Sequence, residues 1–283
     1  MTISIRTQSL RTDPYVFEVD TAGEPDRPLV LLLHGFPQTR YAYRHQLPAL
    51  AQAGYFAVAP DQRGYSTGAR PANVEDYAAR HLITDALAIA SACGADRFHL
   101  VGHDWGGQLA WLIAAQHPQR VASLSVLSRP HPAAFLSALQ HDPAQAERSK
   151  HHRAFDDPQT ATRLLENDAA RLHRMFANQG VARPDAEVYA RKLSEPGALE
   201  AALHWYRAAR SGGSMLPLPP IHSPTLYVWG DADATVGRSA AEGTAQHVAA
   251  PYRFEVIPGA GHFLTDQVPA RVSELLVQHI RTA

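Results

Sequence analysis

Near the middle of the 283-residue chain, Gly102-His103-Asp104-Trp105-Gly106-Gly107 sets one carboxylate among small residues at the spacing Gly-x-Asp-x-Gly. The apolar stretch 98–101 before it reads as a strand and 108–117 after it as a helix. Small residues at those places permit a sharp strand-to-helix turn with Asp104 at its apex. Its carboxylate is already ionised at neutral pH, and the N-terminus of the following helix favours the negative charge. Such a group can displace a leaving group from a saturated carbon without a base, leaving an ester on the protein. A plainer reading competes: a glycine-rich loop in which Asp104 only caps the helix.

An ester must then be hydrolysed, which calls for a base to activate water. His262, in Gly259-Ala260-Gly261-His262, follows the last apolar stretch, and Asp233 follows Val228-Trp229-Gly230. Imidazole suits the base at neutral pH, and a carboxylate can orient it. Asp231 is the rival acid, but it sits nearer the strand end and suits a turn cap; His262 could instead cap the final helix. His34-Gly35-Phe36-Pro37 closes an earlier strand, and its aromatic-proline step invites a cis peptide. All these groups fall at carboxyl ends of predicted strands, where ligands bind in open α/β sheets.

The elements that must position them follow from periodicity. Segments 3–7 and 15–19 alternate and predict an antiparallel edge hairpin. Stretches 29–33, 55–59, 98–101, 121–127, 225–229 and 252–257 predict further strands, the continuous apolar ones suiting burial on both faces. Helical spacing predicts helices over 43–52, 74–92, 108–117 and 268–281. The alternation implies a mostly parallel sheet with helices on both faces. It stops over 130–220, where amphipathic helices are punctuated by Pro and Gly. Residues 1–129 and 221–283 are therefore expected to form one α/β core, and 130–220 an inserted helical cap.

Composition narrows the function classes. The chain is 45% hydrophobic and 19% charged with a formal net charge of -1, which argues against a nucleic-acid partner or a polybasic membrane contact. No apolar run approaches a membrane span. The single cysteine, Cys93, cannot form an internal disulfide, and a cytoplasmic setting is expected. The sixteen histidines show no metal-ligand spacing and no phosphate cradle is visible, so neither metal nor cofactor is expected. A small molecule is the expected partner, for a monomer or homodimer.

The chain resembles the epoxide hydrolase branch of the α/β-hydrolase superfamily. The resemblance rests on His34-Gly35-Phe36-Pro37, Asp61-Gln62-Arg63-Gly64-Tyr65-Ser66, Gly102 to Gly107, Trp205-Tyr206-Arg207 and Gly261-His262-Phe263, and is weakest in the first half of the cap. It implies an α/β-hydrolase fold with an eight-stranded sheet, and a nucleophile-acid-base order of Asp104, Asp233 and His262. It also implies an oxyanion site from the backbone amides of Phe36 and Trp105. An epoxide opens to a basic alkoxide that needs a proton, and Tyr206 matches a ring-opening tyrosine of the family. The second such donor is usually a tyrosine; local spacing puts His151 there, with His152 as its neighbour and rival. His34, Pro37, Phe155, Trp205 and Phe263 complete the implied substrate-binding set, His34 also bracing the oxyanion loop and His103 supporting the turn. Phe135, Leu139, Leu164, Met175 and Phe176 are further candidates for the pocket wall, and Ser128 stands where some relatives carry the acid.

The implied activity is hydrolysis of an epoxide to a vicinal diol through an Asp104 ester. Haloalkane dehalogenase is the nearest alternative, since Trp105 could hold a halide, but Phe36 stands where those enzymes usually place Asn or Glu. A fluoroacetate dehalogenase should carry arginines where Trp105 and Gln108 stand. A non-catalytic receptor on the same fold is the alternative from another class.

Overall fold

The continuous apolar runs become strands. β1 (Arg6–Thr12) and β2 (Tyr15–Ala22) form a hairpin, followed by β3 (Leu29–Leu33), β4 (Phe56–Pro60), β5 (Phe98–His103), β6 (Val121–Leu127), β7 (Thr225–Gly230) and β8 (Tyr252–Ile257). Every residue of β3, β4 and β7 is buried, as strands covered on both faces require. The computed structural model describes residues 3–210 and 217–283, the side chains of His151 and His152 excepted. The strands make one sheet in the order β1-β2-β4-β3-β5-β6-β7-β8, parallel from β4 onward. The first strand lies three residues later than its expected 3–7, running from Arg6 opposite Thr21 to Thr12 opposite Tyr15. As an edge strand it is almost wholly exposed, so no burial period marks its bounds.

Between strands run α1 (Gln46–Gln52), α2 (Ala79–Ala92) and α3 (Trp105–Gln116), with α9 (Arg238–Gly243), α10 (Leu264–Gln267) and α11 (Pro269–Thr282) after the insertion. The chain steps from β3 to β4 in one direction and from β5 to β6 in the other. Right-handed crossovers then place α1 and α3 on opposite faces. The reversal between β3 and β5 is the switch point at which such sheets bind ligands. α3 starts at Trp105, earlier than the expected 108, and all its residues from Gly106 to Ala115 are buried; a helix buried all round shows little period.

Among the described residues, 130–220 hold no strand. They hold α4 (Pro132–His141), α5 (Pro143–Arg148), a 3-10 segment (Lys150–Asp156), α6 (Thr160–Asn178), α7 (Arg183–Leu193) and α8 (Ala198–Arg210). α6 is broken where Asn167, Asp168 and Ala169 take left-handed angles. Ion pairs tie α7 and its C-terminal end to the sheet side: Lys192 to Glu18, Glu195 to Arg70 and Asp185 to Arg44. α8 is tied by the Trp205 indole, which donates to the Arg63 carbonyl at 2.8 Å. Arg63 in turn holds Asp85 in a buried two-bond pair. No helix of the described residues is long and apolar enough to cross a membrane.

Several histidines are buried as neutral rings. Desolvation pushes His34 and His131 down to about 3 and His99 and His103 to about 4. Unfolding returns each towards 6.5, so the unfolded chain binds more protons as pH falls below that value. Each such group costs up to about 1.4 kcal/mol of stability per pH unit. Burial raises the Asp61 carboxyl to about 6, which opposes this with one proton. The balance predicts that the thermal midpoint falls steadily between pH 6.5 and 4.5, as scanning calorimetry across that range will show; a flat or rising midpoint contradicts it.

Candidate active site

Asp104 sits at the end of β5 with φ 50 and ψ -116, a strained conformation for a non-glycine residue. It is held there by close packing. A Cβ on Gly106 would lie 2.0 Å from the Leu33 carbonyl oxygen, and one on Gly35 would lie 2.3 Å from the Asp104 Cβ. The turn is thus pressed against the end of β3, which only residues lacking a side chain permit. This brings the Phe36 amide to Asp104, donating to Oδ1 at 2.9 Å. Trp105, the first residue of α3, has an amide with no acceptor inside the helix. The Phe36-Pro37 peptide is cis.

The loops after β7 and β8 bring up the other two groups. His262 Nδ1 lies 2.8 Å from Asp233 Oδ2, and its Nε2 lies 3.4 Å from Asp104 Oδ2, too long for a strong hydrogen bond. The other oxygen of Asp233 accepts from the amides of Thr235 and Val236 at 2.7 and 3.0 Å. Only Oδ2 therefore faces the imidazole. The His262 carbonyl accepts from Ser128 Oγ at 2.7 Å and from His103 Nε2 at 2.8 Å, so the support expected from His103 goes to the His262 loop. Asp231, the rival acid, accepts from the Gly259 amide at 2.7 Å and holds that turn.

These groups are nearly dry: Asp104 is 8% exposed, His262 4% and Asp233 1%. Burial alone would raise the Asp104 carboxyl, but the His262 imidazole beside it, with His103 and Arg129, holds it well below the usual carboxylate range. Burial likewise disfavours the His262 imidazolium. The charges of Asp233 and Asp104, with the Asp233 hydrogen bond, outweigh it and raise the imidazole above its ordinary value.

A cavity of about 540 Å³ opens over this floor, lined by Asp104, His262, Phe36, Pro37, Tyr206 and Phe263 at the sheet side. Phe155, Leu164 and Met175 form its apolar wall, and Arg163, Arg171 and Asn178 of α6 line it as well. Tyr206 is 8% exposed and fixed by three rings, Trp105 at 4.9 Å, Phe36 at 5.4 Å and Phe155 at 4.6 Å. Burial and the Asp104 charge keep its phenol protonated well above the ordinary range.

Two expected substrate contacts are corrected. His34 is fully buried, its Nδ1 donating to the Gly35 carbonyl and its Nε2 accepting from the Gln62 amide; it braces the loop and does not reach the cavity. Trp205 points away, its indole on the Arg63 carbonyl, and lines a separate cavity of about 240 Å³ with Trp105 and Gln108. Of the other wall candidates, Phe135, Leu139 and Phe176 are absent from the lining, Phe176 being stacked on Tyr189. His151 lies outside the described side chains, in the 3-10 segment whose Ala154 and Phe155 line the cavity. Sequence reading missed Arg171 and Asn178, although with Met175 they share one helical face, and it missed the bond from Ser128.

Among family models, the alpha/beta hydrolase fold matches residues 28–267. Epoxide hydrolase 4 of Mus musculus is 36% identical over 92% of this chain and 75% of that protein. Epoxide hydrolase A of Mycobacterium tuberculosis is 33% identical over 92% of each. The crystal structure of Epoxide Hydrolase A from Mycobacterium thermoresistibile superposes with a TM-score of 0.84 at 27% identity, covering 98% of both chains. With a turn, a loop pair and a sheet order of this kind, the chain belongs to the α/β-hydrolase fold family, in its epoxide hydrolase-like branch.

Proposed function

We propose that the protein hydrolyses epoxides to vicinal diols, with Asp104 as nucleophile and residues 130–220 as a cap over the site. One observation carries the reading. Asp104 offers Oδ2 to the cavity and to His262, while its Oδ1 is already held by the Phe36 amide. A carboxylate so divided has one oxygen for attack and one for the later oxyanion.

Oδ2 attacks a ring carbon, the carbon–oxygen bond breaks, and the Tyr206 phenol gives its proton to the departing alkoxide. The result is a hydroxyalkyl ester on Asp104 and a phenolate that regains its proton from the His262 imidazolium through solvent. Esterification removes one of the two negative charges that keep the imidazole protonated, so the neutral base appears only once there is an ester to cleave. His262, oriented by Asp233, then takes a proton from water, and the hydroxide adds to the Asp104 carbonyl carbon. The charge gathers on Oδ1 against the amides of Phe36 and Trp105. Collapse releases the diol, with the proton on His262 passing to the leaving oxygen. Pro37, Phe155 and Phe263 supply apolar contact to the substrate's carbon frame. His151 is proposed as the second donor to the epoxide oxygen, on spacing alone.

The decisive test mixes the His262→Gln variant with styrene oxide and reads the intact mass. A covalent adduct that peptide mapping places on Asp104 is expected, whereas an adduct elsewhere, or continued turnover, contradicts the mechanism. Tyr206→Phe is expected to slow epoxide ring opening by about 100-fold or more and to leave displacement of an alkyl bromide nearly unchanged. Equal losses with both probes would reduce Tyr206 to packing. In single-turnover kinetics, ester formation should be flat down to about pH 5, because Asp104 stays ionised there, while ester hydrolysis should slow as His262 protonates. The opposite pairing of pH profiles would show that the two groups have exchanged roles.

A further inference from the structure

Beside the Trp105 ring stands a cation with no salt-bridge partner among the described residues. Arg129 follows Ser128, whose φ of 57 turns the chain at the end of β6. Its Nε donates to Gln108 Oε1 at 3.1 Å, and its guanidinium lies 4.3 Å over the Phe135 ring and 6.0 Å from the Trp105 ring. No carboxylate of the described residues lies within salt-bridge distance of it, and burial pushes its own ionisation below the ordinary range. A partly buried arginine so placed is costly to keep. The charged and ionisable groups it acts on are Asp104, Tyr206 and Tyr227, two of which belong to the cavity floor. Trp105 packs against both Arg129 and Tyr206, its ring edge-on to the Tyr206 ring at 4.9 Å and 89°, and its side chain eases ionisation of the phenol.

This arrangement bears on the hardest moment of ring opening. When the phenol proton passes to the alkoxide, a phenolate is left in a dry pocket walled by Phe36, Phe155 and Trp105. A buried anion is strongly disfavoured unless donors and positive charge face it. We propose that Trp105 and Arg129 are positioning residues for ring opening: the indole N–H donates to the Tyr206 oxygen, and the guanidinium behind the indole supplies the charge that stabilises the phenolate. The inference rests on the reading of Asp104 and Tyr206 given above. It gives the Trp105 side chain a role apart from that of its backbone amide. Atoms balance within the enzyme and substrate: one carbon–oxygen bond forms at Asp104 Oδ2, one breaks in the ring, and one proton moves from Tyr206 to the new hydroxyl.

The test follows ester formation and ester hydrolysis separately in single turnovers of the full chain with styrene oxide, for Arg129→Met, Arg129→Lys and Trp105→Phe. Each is also made in the Tyr206→Phe background. Arg129→Met and Trp105→Phe are each expected to slow ester formation about tenfold, short of the roughly 100-fold or greater loss from removing the acid itself. Ester hydrolysis should stay within about twofold, Arg129→Lys should recover much of the rate, and neither change should slow the Tyr206→Phe enzyme further. Losses that multiply with that of Tyr206→Phe, or that fall on ester hydrolysis, overturn the proposal, because they indicate a packing role. The lysine and phenylalanine variants keep the test open should Arg129→Met fail to fold. If the unaltered protein forms no ester on Asp104, the underlying reading of the site fails instead.

Discussion

The strained turn at Asp104 is the constraint on which the site depends. A left-handed aspartate is stable here because the chain on either side has no room to relax: Gly106 lies against the Leu33 carbonyl and Gly35 against Asp104 itself. The strain is borne by the sheet, since β3 and β5 are adjacent parallel strands, with Leu33 in register with Gly102. What the strain delivers is a carboxylate lifted off the strand end and fastened by one oxygen to the Phe36 amide. The orientation of the second oxygen follows from the fastening of the first.

Electrostatics then govern order in time. Two carboxylates share one imidazole, and their pairing favours the charged forms of Asp104 and His262. On our proposal, neutralising Asp104 by esterification weakens the hold on the imidazole's proton while Asp233 keeps the ring oriented. Nothing need move far for the nucleophilic stage to give way to the basic one. The histidine's own loop is fixed from behind by Ser128 and His103. The ring is therefore free to change protonation without changing place.

Much of this was legible from residue type and spacing. The succession of strands along the chain, the strand-free helical stretch after β6 and the meeting of Asp104, Asp233 and His262 at strand ends all follow from short apolar runs ending in chemically active residues. Asp233 stands farther from the strand end than Asp231, and the former meets His262 while the latter holds the Gly259 turn. What sequence could not supply was side-chain direction. Trp205 and Tyr206 are neighbours on α8, yet one bonds the Arg63 carbonyl and the other lines the cavity. His34 is too deeply packed to touch a ligand. Arg129 gave no signal because its neighbours, Gln108, Trp105 and Phe135, are brought to it only in three dimensions. The left-handed break in α6 carries no glycine to announce it.

The central claim is that an oxygen of the protein, and not of water, makes the first bond to substrate. It is tested most directly by one turnover of excess enzyme with styrene oxide in water enriched in the heavy oxygen isotope. The account predicts a diol free of the label, with the label appearing in the Asp104 carboxylate. A labelled diol beside an unlabelled Asp104 would mean that water opens the ring directly, and the account would be wrong.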